Sequence, residues 1–383
     1  MTDFRERFPG IGEDWARFDG PAGTQMVDVA IDAMTDFLRS GENANNGGEF
    51  AASHACTELV ADARQCVGKL LGADADGIAF GANMTTLNFA LTRALARTWQ
   101  PGDEIVGTRL DHDANVTPWQ LAADDTGAVL RLAEFDTATG RLDPDAVGAL
   151  ITHRTKWVAV TGASNALGTM PDLATIIGLA HEAGARVLVD GVHLVPHVAV
   201  DVGGLGCDAF LTSPYKWYGP HSGVLWLAPD LRDSLPAYKV RPAPAGAPGR
   251  WETGTPAYES IAAIRAAAAF LLETGLGAIG RHEAARFTRL LDGLQQMPHV
   301  TVHGPQDLAN RTPTVCFAVA AHAPGAVAAA LAARCVAVWS GHYYAVETMA
   351  ALGLTEGAIR AGVSCYTSDR DVDRLLTAVA ELA

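Results

Sequence analysis

Residues 187–226 read VLVDGVHLVPHVAVDVGGLGCDAFLTSPYKWYGPHSGVLW. Val187-Leu188-Val189 is a continuous apolar run that ends in Asp190, and two further runs follow at 208–212 and 223–227. Half-exposed strands alternate apolar and polar residues, whereas strands covered on both faces by helices read as unbroken apolar runs. The same reading extends outward. Trp157-Val158-Ala159-Val160 is another such run, and 78–80, 104–107, 128–132 and 186–190 are further candidate strands. Helical spacing occupies 57–71, where Leu59, Val60, Ala63, Val67, Leu70 and Leu71 share one face and Gly72 stops the helix. It returns at 85–97 and 173–183. Strands alternating with helices imply an α/β fold around a mostly parallel sheet.

At 383 residues the chain is expected to form two domains, at roughly 150 residues each. Residues 1–45 read as irregular chain with one short helix packing on the body, 46–258 as the large domain, and 259–383 as connecting helices plus a small C-terminal α+β domain. The Pro- and Gly-rich stretch at 237–257 is a loop. The C-terminal part carries candidate strands at 299–303, 314–319, 335–339 and 359–363, with helices at 324–333 and 369–382. No internal repeat occurs.

Composition excludes several classes. Apolar residues make up 49% and charged residues 19%, so the bulk of the chain is not disordered. The formal charge is -15, with 28 Lys plus Arg against 43 Asp plus Glu, and a nucleic-acid partner would require a basic face. The six cysteines are scattered without a CxxC pair and read as reduced thiols. The opening MTDFRERFPG lacks the apolar core of a signal peptide, and no stretch reaches the 18 or so apolar residues of a membrane span. A cytoplasmic protein with no membrane partner is expected.

Neither GxGxxG after a strand, nor HExxH, nor GxSxG is present. His193 and His197 have helical metal-pair spacing, but Pro196 between them disfavours a helix, so no metal site is expected. Ligands of open α/β sheets collect at the carboxyl ends of strands, where Asp190 stands. Alone, Asp190 could be a helix cap or an ion-pair partner. Lys216, set among Tyr215, Trp217, Tyr218 and two prolines, is a candidate for a desolvated amine, although a single lysine is commonly a surface group. Together the two change the reading. An acid for a pyridine nitrogen and a lysine for a Schiff base are what pyridoxal phosphate enzymes need. The turn Gly81-Ala82-Asn83-Met84-Thr85, joining a strand to a helix, offers backbone amides and a helix dipole to a phosphate.

On these residues, and on LDHDANVTPW (110–119), ASNALGT (163–169) and RWETGTP (250–256) in the same order, the chain resembles the class V aminotransferase superfamily on its cysteine desulfurase and selenocysteine lyase branch. The resemblance implies fold type I, with a seven-stranded large-domain sheet and a homodimer, and pyridoxal 5'-phosphate as cofactor. It implies that Lys216 forms the Schiff base, Asp190 faces the ring nitrogen, and His112 stacks on the ring and shuttles protons. Asn165 would bond near the ring hydroxyl, where His193 replaces the branch's usual glutamine. Ala82, Asn83 and Met84 would form the phosphate turn in place of Gly-Thr-Thr. Ser213 and Tyr215 match the positions just before the lysine, Thr255 the threonine that reaches the phosphate across the dimer, and Arg360 the arginine that binds the substrate carboxylate.

One departure concerns the chemistry. The desulfurases of this branch carry a cysteine nucleophile in a loop reading roughly RTGHHC; here the run is Trp339-Ser340-Gly341-His342-Tyr343-Tyr344, with Tyr344 on the cysteine. Cys365, in IRAGVSCYTS, lies where the family has no nucleophile. The expectation is therefore a pyridoxal phosphate enzyme acting on an amino acid by β-elimination or C–S lyase chemistry, with Tyr344 in the substrate site and no cysteine persulfide. Transamination or epimerisation is the alternative. A non-catalytic cofactor-binding regulator fits less well, since a mere binder needs no carboxylate clamp.

Overall fold

The computed structural model of the chain describes residues 4–12 and 14–383. A short strand, β1 (Ala16–Arg17), precedes the large sheet, whose strands are β2 (Ile78–Gly81), β3 (Glu104–Thr108), β4 (Val129–Ala133), β5 (Thr155–Thr161), β6 (Arg186–Asp190), β7 (Ala209–Thr212) and β8 (Gly223–Leu227). They lie in the order β2-β8-β7-β6-β5-β3-β4. Only β8 runs antiparallel to its neighbours; β7, β6, β5, β3 and β4 are parallel. This is the mostly parallel sheet that the alternating elements imply.

The period of two along each central strand divides the interior into two cores. Val158, Val160, Val187, Val189, Phe210 and Val224 face one layer, which includes the helices Ala51–Leu71 and Tyr258–Thr274. Trp157, Ala159, Leu188, Ala209, Leu211 and Leu225 face the other, built on Met84–Ala96 and Thr117–Thr126. Both faces are covered, which is why these strands read as continuous apolar runs. The edge strand β4 differs. Its residues alternate between exposed and half-buried because only one neighbour and one layer cover it.

The helix expected to begin near Thr57 begins at Ala51, because Ser53 and Cys56 continue the buried face with polar groups: the Ser53 hydroxyl accepts from Gly48 N–H at 2.6 Å, and Cys56 donates to the Ala44 carbonyl. It stops at Gly72, in the left-handed region at φ 61°. The helix Asp28–Arg39 packs beside Tyr258–Thr274.

The remaining strands are β9 (Val300–His303), β10 (Thr314–Val319), β11 (Val336–Ala337), β12 (Trp339–Gly341) and β13 (Ala358–Gly362). The strand expected at 335–339 is thus two. Its first half, β11, pairs in parallel with β1, so the N-terminal segment reaches the C-terminal part of the molecule. Its second half, β12, is the edge of an antiparallel sheet ordered β12-β13-β10-β9. Val315, Phe317, Ile359 and Ala361 face a core with the helices Leu276–Gln295 and Asp369–Ala380. The intervening Cys316, Ala358 and Arg360 face the large sheet. Among the described residues no single helix is long and apolar enough to cross a membrane.

Gly223 shows how closely the turn after β2 is seated. A Cβ there would lie 2.3 Å from the Asn83 carbonyl carbon and 2.7 Å from the Met84 nitrogen, both backbone atoms that cannot rotate away. Gly223→Ala is therefore expected to displace the 82–84 turn and to cost about 1–3 kcal/mol, read as a lower urea midpoint; an unchanged midpoint would contradict this packing.

Candidate active site

The carboxyl ends of the central strands converge on one cavity. Thr161 ends β5, Asp190 ends β6, and Ser213, Tyr215 and Lys216 follow β7. Asn83, Met84 and Thr85 enter from the turn after β2, and His112 from the connection after β3. These residues, with Ala114, Ala163, Asn165, Val192 and His193, line about 440 Å³ of space, part of it open to solvent. A larger open groove on the outside, between the helices Asp28–Arg39, Ala51–Leu71 and Tyr258–Thr274, has an acidic rim and holds none of the candidate residues.

Lys216 closes a single 3-10 turn, Pro214–Lys216, whose proline starts it and whose next residue, Trp217, is buried with its indole N–H on Thr212 Oγ1 at 3.1 Å. Tyr218 then takes a left-handed φ of 68°, a strain held in place by the Thr24 hydroxyl on its N–H at 3.0 Å and by Phe8 against its ring. The Lys216 Nζ donates to the Pro21 carbonyl. Burial pulls the amine down to about 7; Arg360 adds to that fall and Asp190 opposes it. Burial likewise raises the Asp190 carboxyl to about 6, against its bond from Val192 N–H at 3.0 Å and the charge of Lys216.

His112 is held neutral, its pKa brought down to about 3 by burial and then by Lys216 and Arg360. Its Nδ1 accepts from Ala114 N–H at 3.0 Å, so the ring proton is assigned to Nε2. His193 is buried and kept neutral for the same main reason, with Nε2 at 2.9 Å from Thr314 Oγ1.

Arg360 enters from β13. Its Nη1 donates to the Asn165 carbonyl at 2.8 Å, and its guanidinium lies 4.5 Å from the centre of the Tyr343 ring. Asn165 Nδ2 in turn donates to the Tyr343 carbonyl at 2.9 Å. Tyr344 stacks on His112, with ring centres 5.5 Å apart and planes at 21°. Its carbonyl accepts from Asp113 N–H at 2.6 Å.

The cavity fits a pyridoxal phosphate. Asn165 Oδ1, His193 Nδ1, Ser213 Oγ and Arg360 Nε are buried without a partner, and buried polar atoms otherwise find one. A buried carboxylate, a lysine with a depressed pKa and a flat neutral histidine are the groups such a ring requires.

Not every expected residue lies there. Ala82 is exposed and does not line the cavity; Thr255, expected to reach the neighbouring subunit's phosphate, is on an exposed loop and does not line this chain's own cavity. The Asn83 side chain caps the following helix by accepting from Thr86 N–H at 2.8 Å, and both Asn83 and the hydroxyl-bearing Thr85 line the cavity. Cys365 is fully buried, with its N–H on the Tyr218 hydroxyl, and burial pushes its thiol well above the usual range. Pro21 and Thr24 carry no sequence signal, since they sit in an irregular segment with no motif. Thr24 N–H and hydroxyl both donate to the Tyr215 carbonyl, at 2.9 and 3.0 Å.

The aminotransferase class-V family model matches residues 17–375. A cysteine desulfurase of Enterobacter sp. is 33% identical over 96% of this chain and 93% of its own length. A probable cysteine desulfurase of Mycobacterium leprae is 32% identical over 96% of this chain, which spans only 62% of that relative and 55% of its counterpart in Mycolicibacterium paratuberculosis. Among solved structures, the apo cysteine desulfurase of Thermococcus onnurineus superposes with a TM-score of 0.94 at 28% identity, covering 99% of this chain and 97% of that one. The chain thus belongs to the aminotransferase class-V family of pyridoxal 5'-phosphate-dependent enzymes.

Proposed function

We propose that the protein is a lyase that acts on a cysteine-type amino acid and expels its sulfur substituent by β-elimination, without loading sulfur on a protein thiol. The observation that carries this reading is the identity of the side chain stacked on His112: a phenol, Tyr344. The thiol nearest the carboxylate clamp, Cys316, is paired with Arg360 across β10 and β13, yet it is fully buried and pushed up to about 12 by that burial. Neither it nor Cys365 offers a thiolate at neutral pH.

Bound pyridoxal phosphate supplies an electron sink for charge developing at the substrate α-carbon. Asp190 holds a carboxylate deep in the cavity, where it would stabilise a protonated ring nitrogen. Arg360 offers its unpartnered Nε to the substrate carboxylate while Tyr343 and Asn165 fix the guanidinium plane. The Lys216 amine, with a pKa near neutrality, takes the α-proton as the bond from the β-carbon to sulfur breaks, and the resulting ammonium can pass that proton to the departing thiolate. His112 presents Nε2–H, which can hydrogen-bond a departing thiolate; being neutral, it stabilises the leaving group without protonating it.

The neutral amine is the form that attacks an aldehyde, so cofactor uptake by the apoprotein should quicken as pH rises and level off above about 7. Arg360→Gln removes a charge that lowers the Lys216 pKa and should move the midpoint up; Asp190→Asn removes one that raises it and should move the midpoint down. Stopped-flow absorbance measures this, and borohydride should then fix the cofactor on the Lys216 peptide. A midpoint in the ordinary lysine range would contradict the assignment.

With an S-substituted cysteine, the products should be pyruvate, ammonia and the free thiol, at a rate unaltered by Cys316→Ala or Cys365→Ala. Alanine from free cysteine, with a persulfide in the intact-protein mass, would instead establish a desulfurase. Amino transfer to an added keto acid would establish a transaminase.

A homodimer is proposed as the active unit, with Thr255 reaching the phosphate of the neighbouring subunit; Thr253, Gly254 and Thr255 are exposed on their own chain, as this role demands. Thr255→Val should lower cofactor occupancy, and light scattering should give twice the chain mass. A fully active monomer would overturn the assignment.

A further inference from the structure

The register of the small sheet sets an exposed aromatic residue beside the arginine clamp. Trp339 on β12 stands directly opposite Arg360 on β13. Directly opposed residues of an antiparallel pair project to the same face, with Cβ atoms about 5 Å apart. Arg360 projects toward the large sheet, since its flanking residues Ile359 and Ala361 face the small core. Trp339 shares that face, but where Arg360 is buried the indole is 51% exposed.

Further along the same run, Tyr344 is 66% exposed over His112. The backbone between them is held rather than loose. Tyr343 and Tyr344 both adopt left-handed φ values, 51° and 58°, and such residues cost about 1–3 kcal/mol each unless their surroundings impose them. Here the surroundings do so, through Asn165 on one carbonyl and Asp113 on the other. Half-exposed aromatic rings fixed beside a binding cavity are surface left bare for an apolar occupant. The run Trp339–Tyr344 contains no lysine or arginine, so it offers no anchor for a second carboxylate.

We infer that Trp339 and Tyr344 form the subsite for the substrate's side chain, and that the substrate is an amino acid bearing a large, flat, apolar group beyond its β-carbon, such as an S-benzyl or S-aryl cysteine. The inference rests on Arg360 as the carboxylate anchor: with the carboxylate on its guanidinium, the side chain extends along the face that Trp339 shares. Free cysteine leaves both rings uncovered.

The test is binding to the holoenzyme, read by stopped flow from the first, pre-turnover change in the cofactor's visible absorbance for glycine, L-cysteine, S-ethyl-L-cysteine and S-benzyl-L-cysteine. Kd should fall along the series, with S-benzyl-cysteine at least about tenfold tighter than cysteine. In Trp339→Ala and Tyr344→Ser, each checked for retained cofactor colour, that ratio should collapse toward one. Equal or tighter binding of cysteine by the wild type, or an unchanged ratio in both variants, would overturn the inference. Because binding is read without turnover, the series separates this subsite from the lyase reading: a preserved ratio with no pyruvate formed would refute β-elimination and leave the subsite standing.

Discussion

A lysine amine removed from water, between a carboxylate and a guanidinium, is the constraint on which the rest of this structure depends. Isolated, a buried ammonium would be expelled or neutralised. Here Asp190 favours its charge and Arg360 opposes it, and the balance leaves Lys216 near neutrality. The three groups come from different places. Asp190 and Lys216 follow adjacent parallel strands, while Arg360 arrives from the small antiparallel sheet. The Pro21 carbonyl, which accepts from the amine, comes from the N-terminal segment. The pocket is therefore complete only when all three parts of the chain are packed together.

That packing is secured by backbone hydrogen bonds and by one buried arginine. Thr312 N–H donates to the Gly168 carbonyl at 2.8 Å and Met170 N–H to the Asn310 carbonyl at 2.9 Å, so the loop after β5 is joined to the connection preceding β10. Arg311 closes the same joint, donating to the Leu167 carbonyl at 3.1 Å and to the Thr314 carbonyl. Gly362 sits where a Cβ would strike Pro21, which sets the N-terminal loop that accepts from Lys216 against β13. With the two sheets tied this way, the alternation along β13 alone decides that Arg360 faces the cavity while Ile359 and Ala361 face the small core.

The central sheet was legible because its strands are covered on both faces, and burial on both faces leaves an unbroken apolar signature at Val187–Val189 and Trp157–Val160. Asp190 and Lys216 were legible because each stands at the end of such a run. The split of the strand expected at 335–339 was not, since Val336, Ala337 and Val338 read as one apolar segment and only pairing with two different strands separates them. The turn after β2 was legible as a strand-to-helix junction, and the Asn83 side chain caps that helix while the backbone amides expected to face a phosphate stay on the same turn. Thr24 and Pro21 left no signal: their work is done by a hydroxyl and a carbonyl placed by tertiary packing, and neither depends on a local pattern.

The same dryness that activates the lysine silences the thiols. Desolvation disfavours whichever form is charged, so it lowers the pKa of an amine and raises that of a thiol. Lys216 is largely unprotonated and available at neutral pH by being buried, while Cys316 and Cys365, buried within the same body, lose their thiolate. An enzyme of this architecture that stores sulfur on cysteine must therefore keep that cysteine wet, on a loop that reaches the substrate from the solvent side. In this chain the loop that reaches His112 from that side is 341–345, and it presents the exposed ring of Tyr344. Its geometry is fixed by two left-handed tyrosines and by bonds to Asn165 and Asp113, so restoring a thiol there would change the nucleophile without disturbing the scaffold that aims it.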